Sequence, residues 1–196
     1  INKEARFSHK DLESLAYHEL GVHMLTTINA KAQVLKIFSL GLTGNTHTQE
    51  GIAIFSEYCT GNLGLNRLKT LALRVVAVRS LLDDRDFVTT YALLVDKYKV
   101  EAEAAFTLTT RVYRGGGLTK DFLYLKGFKE ICDLSQVQGT GNLDDLLVGK
   151  TGLLDLSVVS EMIERGIISK PRLLFPLEFK PSENPNILEY LVSSIR

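Results

Sequence analysis

A mainly α fold with little β structure is predicted by three observations. Apolar residues recur at helical rather than alternating spacing along most of the chain. Glycine clusters at Gly61 to Gly64, Gly115 to Gly117 and Gly139 to Gly141 punctuate those segments. The only convincing extended stretch is Arg172-Leu173-Leu174-Phe175-Pro176-Leu177-Glu178-Phe179. The periodicity predicts helices over about 10 to 29, 47 to 59, 65 to 82, 84 to 97, 99 to 112, 119 to 134, 153 to 165 and 185 to 195. With 196 residues, 45% of them apolar, and no internal repeat, the chain 1–196 reads as a single domain with a real core.

The first helix carries His18-Glu19-Leu20-Gly21-Val22-His23. Two imidazoles beside one glutamate are the ligand and general-base set of a zinc peptidase, in which the histidines usually stand four apart on one helical face. Here they stand five apart. At about 100° per residue, that step turns the second ring away from the first, so one ion can be shared only if the helix widens locally into a π-bulge. The flanking stripe is consistent with such a slip. Leu12, Leu15, Ala16 and Leu20 follow helical spacing, but the next strong apolar pair, Leu25 and Ile28, comes one residue late, although Met24 would continue the stripe without a slip. Gly21 offers no side chain to resist the distortion.

A catalytic zinc normally takes three protein ligands and a water, so a third donor is expected elsewhere. The second helix supplies the candidate. Thr46 and Gln49 are spaced as a capping box at its start. With Ile52, Phe55 and Cys59 burying one side, Glu50, Ile54 and Glu57 share a neighbouring face. Glu50 is the expected ligand, with Glu57 and His47 in reserve. An acid near a helix start also has a plain role in complementing the helix dipole, worth about 0.3–1 kcal/mol. Glu19, the acid that is not a ligand, is the expected general base.

Arg111, Tyr113 and Arg114 end an apolar helix just before three glycines. The guanidinium groups at such a place either cap the helix C-terminus or reach a carboxylate bidentately, and Tyr113 or Tyr124 is suited to donate to a developing oxyanion. Thr119, Lys120 and Asp121 read as the next helix start. Gly149-Lys150-Thr151 looks like the end of a phosphate loop, but Asp144 stands where that signature needs its first glycine, so the reading is rejected.

Charge excludes some partners. Lys and Arg total 23 against 23 acids, so no global field recruits nucleic acid or an anionic membrane. No apolar run is long enough to span a bilayer, and no signal-peptide pattern opens the chain. Cys59 and Cys132 are far apart without a partner motif, which favours free thiols in a reducing compartment, with the cytoplasm as the expected location. Oligomeric state is not legible.

Taken together, His18-Glu19-Leu20-Gly21-Val22-His23, Asn29-Ala30, Gln49-Glu50-Gly51-Ile52-Ala53, Arg111-Val112-Tyr113-Arg114-Gly115 and Leu118-Thr119-Lys120-Asp121 through Tyr124-Leu125-Lys126-Gly127 resemble the microtubule-associated tyrosine carboxypeptidases. The similarity extends to their bacterial relatives, often called QEGLA-motif proteins, with a suggested link to flavohaemoglobin expression. Ile52 replaces the Leu of that name and Leu118 the usual Phe. The resemblance implies a zincin-like helical domain, Zn2+ as cofactor, and hydrolysis of a peptide bond at a free C-terminus of a peptide or protein. It also favours substrate binding for Arg111 and Arg114. Tubulin itself is not implied. The family's domain extends upstream of the zinc helix, whereas His18 here follows only 17 residues, so the chain is expected to be the C-terminal portion of a longer catalytic domain. The rival reading is a regulatory or scaffolding protein that keeps the fold without turnover, and retention of Glu19 argues against it, because a structural zinc site has no use for a general base.

Overall fold

Helix α1, His9–Leu15, begins where the sequence supplies a reciprocal cap: the Asp11 amide donates to Ser8 Oγ at 3.1 Å, and the Ser8 amide donates to Asp11 Oδ2 at 3.2 Å. The helix does not stop at its C-terminus. It widens into a π segment, Ala16–Met24, and then narrows into α2, Leu25–Ala32. At the exit the Leu25 amide still donates to the Leu20 carbonyl, five residues back. A computed structural model describes this and the rest of the chain over residues 4, 6–115, 119–138, 140–174 and 180–195. The fold is mainly α, with no strand among the described residues.

The chain divides into two compact units, Ile1–Gly64 with Lys126–Arg196, and Leu65–Leu125. In the first, α3 (Ile37–Leu40) leads to α4 (Asn45–Cys59), which packs along the π segment. Buried residues run without a break from Thr48 to Glu57, so α4 is enclosed on all sides rather than amphipathic. Its close neighbour is α8, Leu123–Gln138. A Cβ on Gly51 would lie 2.5 Å from the Gly127 carbonyl carbon, and one on Gly127 would lie 2.5 Å from the His47 carbonyl oxygen, so the two backbones touch where neither chain has a side chain.

Two amide side chains, on Asn29 within α2 and on Gln33 at its C-terminal end, anchor the C-terminal part of this unit. Asn29 donates to the carbonyls of Leu147 and Leu173 at 2.9 and 2.8 Å and accepts from the Leu173 amide at 2.9 Å. Gln33, one turn on, exchanges the same pair of bonds with Ser169 at 2.9 and 3.0 Å. Ala30 and Phe38 then meet Val148, Val159 and Ile168 in an apolar cluster closed by α9, Leu156–Glu164. Short 3-10 turns, Thr140–Val148 and Leu153–Asp155, precede α9, and α10, Pro185–Ser193, ends the unit. Gly149 and Lys150 belong to this packing: Lys150 exchanges two backbone bonds of 2.8 Å with Phe38 and Leu42.

The second unit is α5 (Leu65–Leu82), α6 (Phe87–Ala92) with a π turn at Leu93–Lys97, and α7 (Ala102–Tyr113). Its core gathers Leu73, Ala77, Val78, Leu94, Ala105, Leu108 and Val112.

Several expected boundaries shift for identifiable reasons. The Thr46–Gln49 capping box does not form: α4 starts earlier, behind Gly44 at φ 81°, a conformation that glycine alone adopts cheaply. Helices expected from 84 and 99 start at Phe87 and Ala102, because Asp86 and Glu101 accept from amides of the following turn and define later caps. The helix expected from 119 starts at Leu123. Of the extended stretch expected over 172–179, residues 175–179 lie outside the described residues, and Leu173 pairs with the Asn29 side chain rather than with a strand.

The Gly51–Gly127 contact gives a direct test. Gly51→Ala should destabilise the protein by about 1–3 kcal/mol through overpacking against a backbone that has no freedom to move. Gly64→Ala, where a Cβ would meet nothing within 4 Å, is the control and should change stability by about 0.5 kcal/mol or less. Equal urea midpoints for the two variants would exclude the close crossing.

Candidate metal centre

The extra width of the π segment brings His18 and His23 to one side. Their rings face each other edge to face, with centroids 5.0 Å apart. From α4, Glu50 inserts its carboxylate between them: Oε2 lies 3.4 Å from His18 Nε2 and 3.6 Å from His23 Nε2. Among the described residues these three form the one group of histidine, cysteine or carboxylate side chains whose donor atoms converge as a metal ion requires, all within 4.8 Å of one another. Donors about 2.0–2.2 Å from a tetrahedral zinc stand about 3.3–3.6 Å apart, which is the spacing of Glu50 from each imidazole. The donor set of two imidazoles and one carboxylate therefore fits a borderline divalent ion such as zinc.

Burial is graded across the site. Glu50 and His18 are buried, while the His23 side chain is 29% exposed and Glu19 is exposed, so water reaches the site from the His23 side. Behind His18, Glu57 sits 2.9 Å from Nδ1. Burial alone would push the His18 imidazole down, but the facing carboxylates of Glu50 and Glu57 outweigh that and raise it to about 9. A metal ion binding Nε2 must displace that proton.

The remaining candidates fall elsewhere. His47 pairs through Nε2 with Glu130 Oε2 at 2.7 Å and is not part of the converging group. The apolar stripe that hinted at the widened turn is mostly on the surface: Leu12, Leu20, Met24 and Ile28 are exposed, whereas His18, Gly21, Val22 and Leu25 are buried. The π turn is present, but its sequence signal was the histidine spacing.

Arg111, Tyr113, Arg114 and Tyr124 belong to the second unit. The Tyr113 hydroxyl donates to the Arg85 carbonyl at 2.6 Å and lies 2.7 Å from Thr90 Oγ1, which fastens α7 to the start of α6. Arg111 donates through Nε to buried Asp121, which also accepts from Thr119 Oγ1 at 2.9 Å and lies 3.8 Å from Arg74 Nε. The Arg74 guanidinium stands 5.4 Å from the Tyr124 ring centroid, with the Lys120 ammonium at 5.8 Å. Burial, and then the neighbouring Arg111 and Arg67 cations, push the Arg74 guanidinium down. Lys69, Arg74, Lys99 and Arg111 line a groove of about 870 Å³ between α5 and α7. Arg114 is exposed at the C-cap of α7. The sequence reading missed Asp121 and Arg74; an arginine inside the apolar run of α5 was the available signal. Cys59 and Cys132 are buried free thiols, each pushed up to about 12 by burial. No helix among the described residues is long and apolar enough to cross a membrane.

Comparison with known proteins agrees with the motifs. The family described as microtubule-associated tyrosine carboxypeptidase matches residues 1–196, the whole chain. No curated protein and no solved structure gives a significant match. On the family match, whose name describes a carboxypeptidase and so a protein or peptide substrate, the chain belongs to the microtubule-associated tyrosine carboxypeptidase family.

Proposed function

We propose that the chain carries the metal-binding and catalytic helices of a zincin-like metallocarboxypeptidase that removes a C-terminal residue from a peptide or protein. The observation that carries this reading is the position of the Glu50 carboxylate, 3.4 and 3.6 Å from two imidazole Nε2 atoms on a π segment. His18, His23 and Glu50 would hold zinc, which supplies Lewis acidity towards a carbonyl and makes water a nucleophile near neutral pH.

The chain's own groups do the rest. Glu19 follows His18 on the same segment and is exposed, so its carboxylate accepts the proton of the attacking water and returns it to the amine as the C–N bond breaks. The substrate's terminal carboxylate calls for guanidinium partners, and Arg111 and Arg114 are assigned that role on the strength of the family's activity. Tyr113 or Tyr124 is assigned to donate to the developing oxyanion. The reducing, cytoplasmic setting is kept as part of this proposal, supported by two buried free thiols.

These assignments make three outcomes measurable. Zinc-reconstituted protein should hold about one zinc per chain, and His23→Ala should lose it by elemental analysis, because an open catalytic site needs all three protein donors. Undiminished zinc in that variant would remove the ligand set. Glu19→Gln should keep the metal and lower turnover about 10²–10⁴-fold, since the amide preserves shape but does not take a proton. Full turnover by that variant excludes Glu19 as the base. Amidating the C-terminus of a cleaved peptide should abolish its hydrolysis, and Arg114→Lys should raise KM for the free acid several-fold, because an ammonium does not replace a bidentate guanidinium. Equal cleavage of amidated and free peptides would rule out the carboxypeptidase reading.

A further inference from the structure

Glu57 stands two helical turns beyond Glu50 on α4, so both carboxylates project towards the π segment. They meet opposite edges of the same ring. Glu57 Oε1 lies 2.9 Å from His18 Nδ1, a good hydrogen-bond distance, whereas Glu50 Oε2 lies 3.4 Å from Nε2, too long for a strong bond but right for two donors sharing one ion. Glu57 is only 1% exposed, more deeply buried than Glu50 at 5%.

We infer that Glu57 is the positioning residue of this site: it accepts the Nδ1–H of His18, turns the Nε2 lone pair towards Glu50 and His23, and places a second carboxylate beside a site for a divalent cation. The hydrogen bond also makes the imidazole a stronger donor, since partial negative charge flows to the ring from an accepting carboxylate. This inference rests on the assignment of His18, His23 and Glu50 as ligands.

The experiment compares the unaltered chain with His23→Ala, Glu57→Ala and Glu57→Gln, with folding checked by circular dichroism. Zn2+ affinity is read by competition with a coloured chelator, and the ligand field by the visible spectrum of the Co2+ form. Glu57→Ala should weaken Zn2+ binding about 10–100-fold, as loss of an outer carboxylate to a ligating histidine does. Glu57→Gln keeps an acceptor but not the charge, so it should fall between the two and shift the Co2+ bands. If Glu57→Ala does not fold, Glu57→Gln alone carries the test. Affinity and Co2+ spectrum unchanged in the folded Glu57 variants, with binding lost in His23→Ala, would overturn the role of Glu57 and leave the ligand set standing. Full binding by His23→Ala would instead remove the ligand set on which the inference rests.

Discussion

A single carboxylate oxygen held between two imidazoles is the constraint around which the first unit is organised. Glu50 reaches that position only because α4 lies buried against the π segment, and α4 can lie there only because its other side is made compact enough to accept α8 at backbone distance. Gly51, immediately after Glu50, has that second duty. The Gln-Glu-Gly run thus combines two opposite requirements on adjacent residues: a charged side chain directed at the site and the absence of any side chain a turn of about 100° away. Buried charge of this kind is expensive, so the surrounding helices must provide their own stability. The cluster that joins Phe38 and Val148 is in place to do so.

Much of this arrangement was legible in the sequence, for uneven reasons. The spacing of His18 and His23 dictated a widened helix because geometry left no other way to share an ion, and that inference survives although its supporting stripe of Leu12, Leu20 and Ile28 proved to be surface. Glu50 was legible because metal chemistry demanded a third donor. The helical content followed from periodicity, whereas the cap of α4 did not: the residue that sets it, Gly44, acts through backbone conformation and leaves no polar signature. Asn29 and Gln33 were equally silent, since their partners Leu147, Leu173 and Ser169 are more than a hundred residues away along the chain. Long-range hydrogen bonds from amide side chains have no period to detect.

The second unit obeys a different logic. Its charged groups are held by one another: Asp121 collects Arg111 and Arg74, and the Tyr124 ring meets the Arg74 and Lys120 cations. An acid flanked by two guanidinium groups leaves a net positive neighbourhood, which attracts anions without dictating their shape. Asp121 looked like part of a helix start because its spacing after Thr119 is that of a turn, and the Thr119 hydroxyl does bond to it. What the spacing hid was its burial.

The π segment has a mechanical meaning as well. One additional residue in a turn rotates everything downstream by about 100° about the helix axis. Asn29 and Gln33 lie on that rotated portion, and their amides clasp the backbone at Leu147, Ser169 and Leu173. The bulge therefore acts as a phase shifter with two outputs, aligning a pair of imidazoles at one end and a pair of amide clasps at the other. An insertion or deletion within it would mistime both, which ties the evolution of the chemistry to the seating of the C-terminal half in a way that neither end alone would impose.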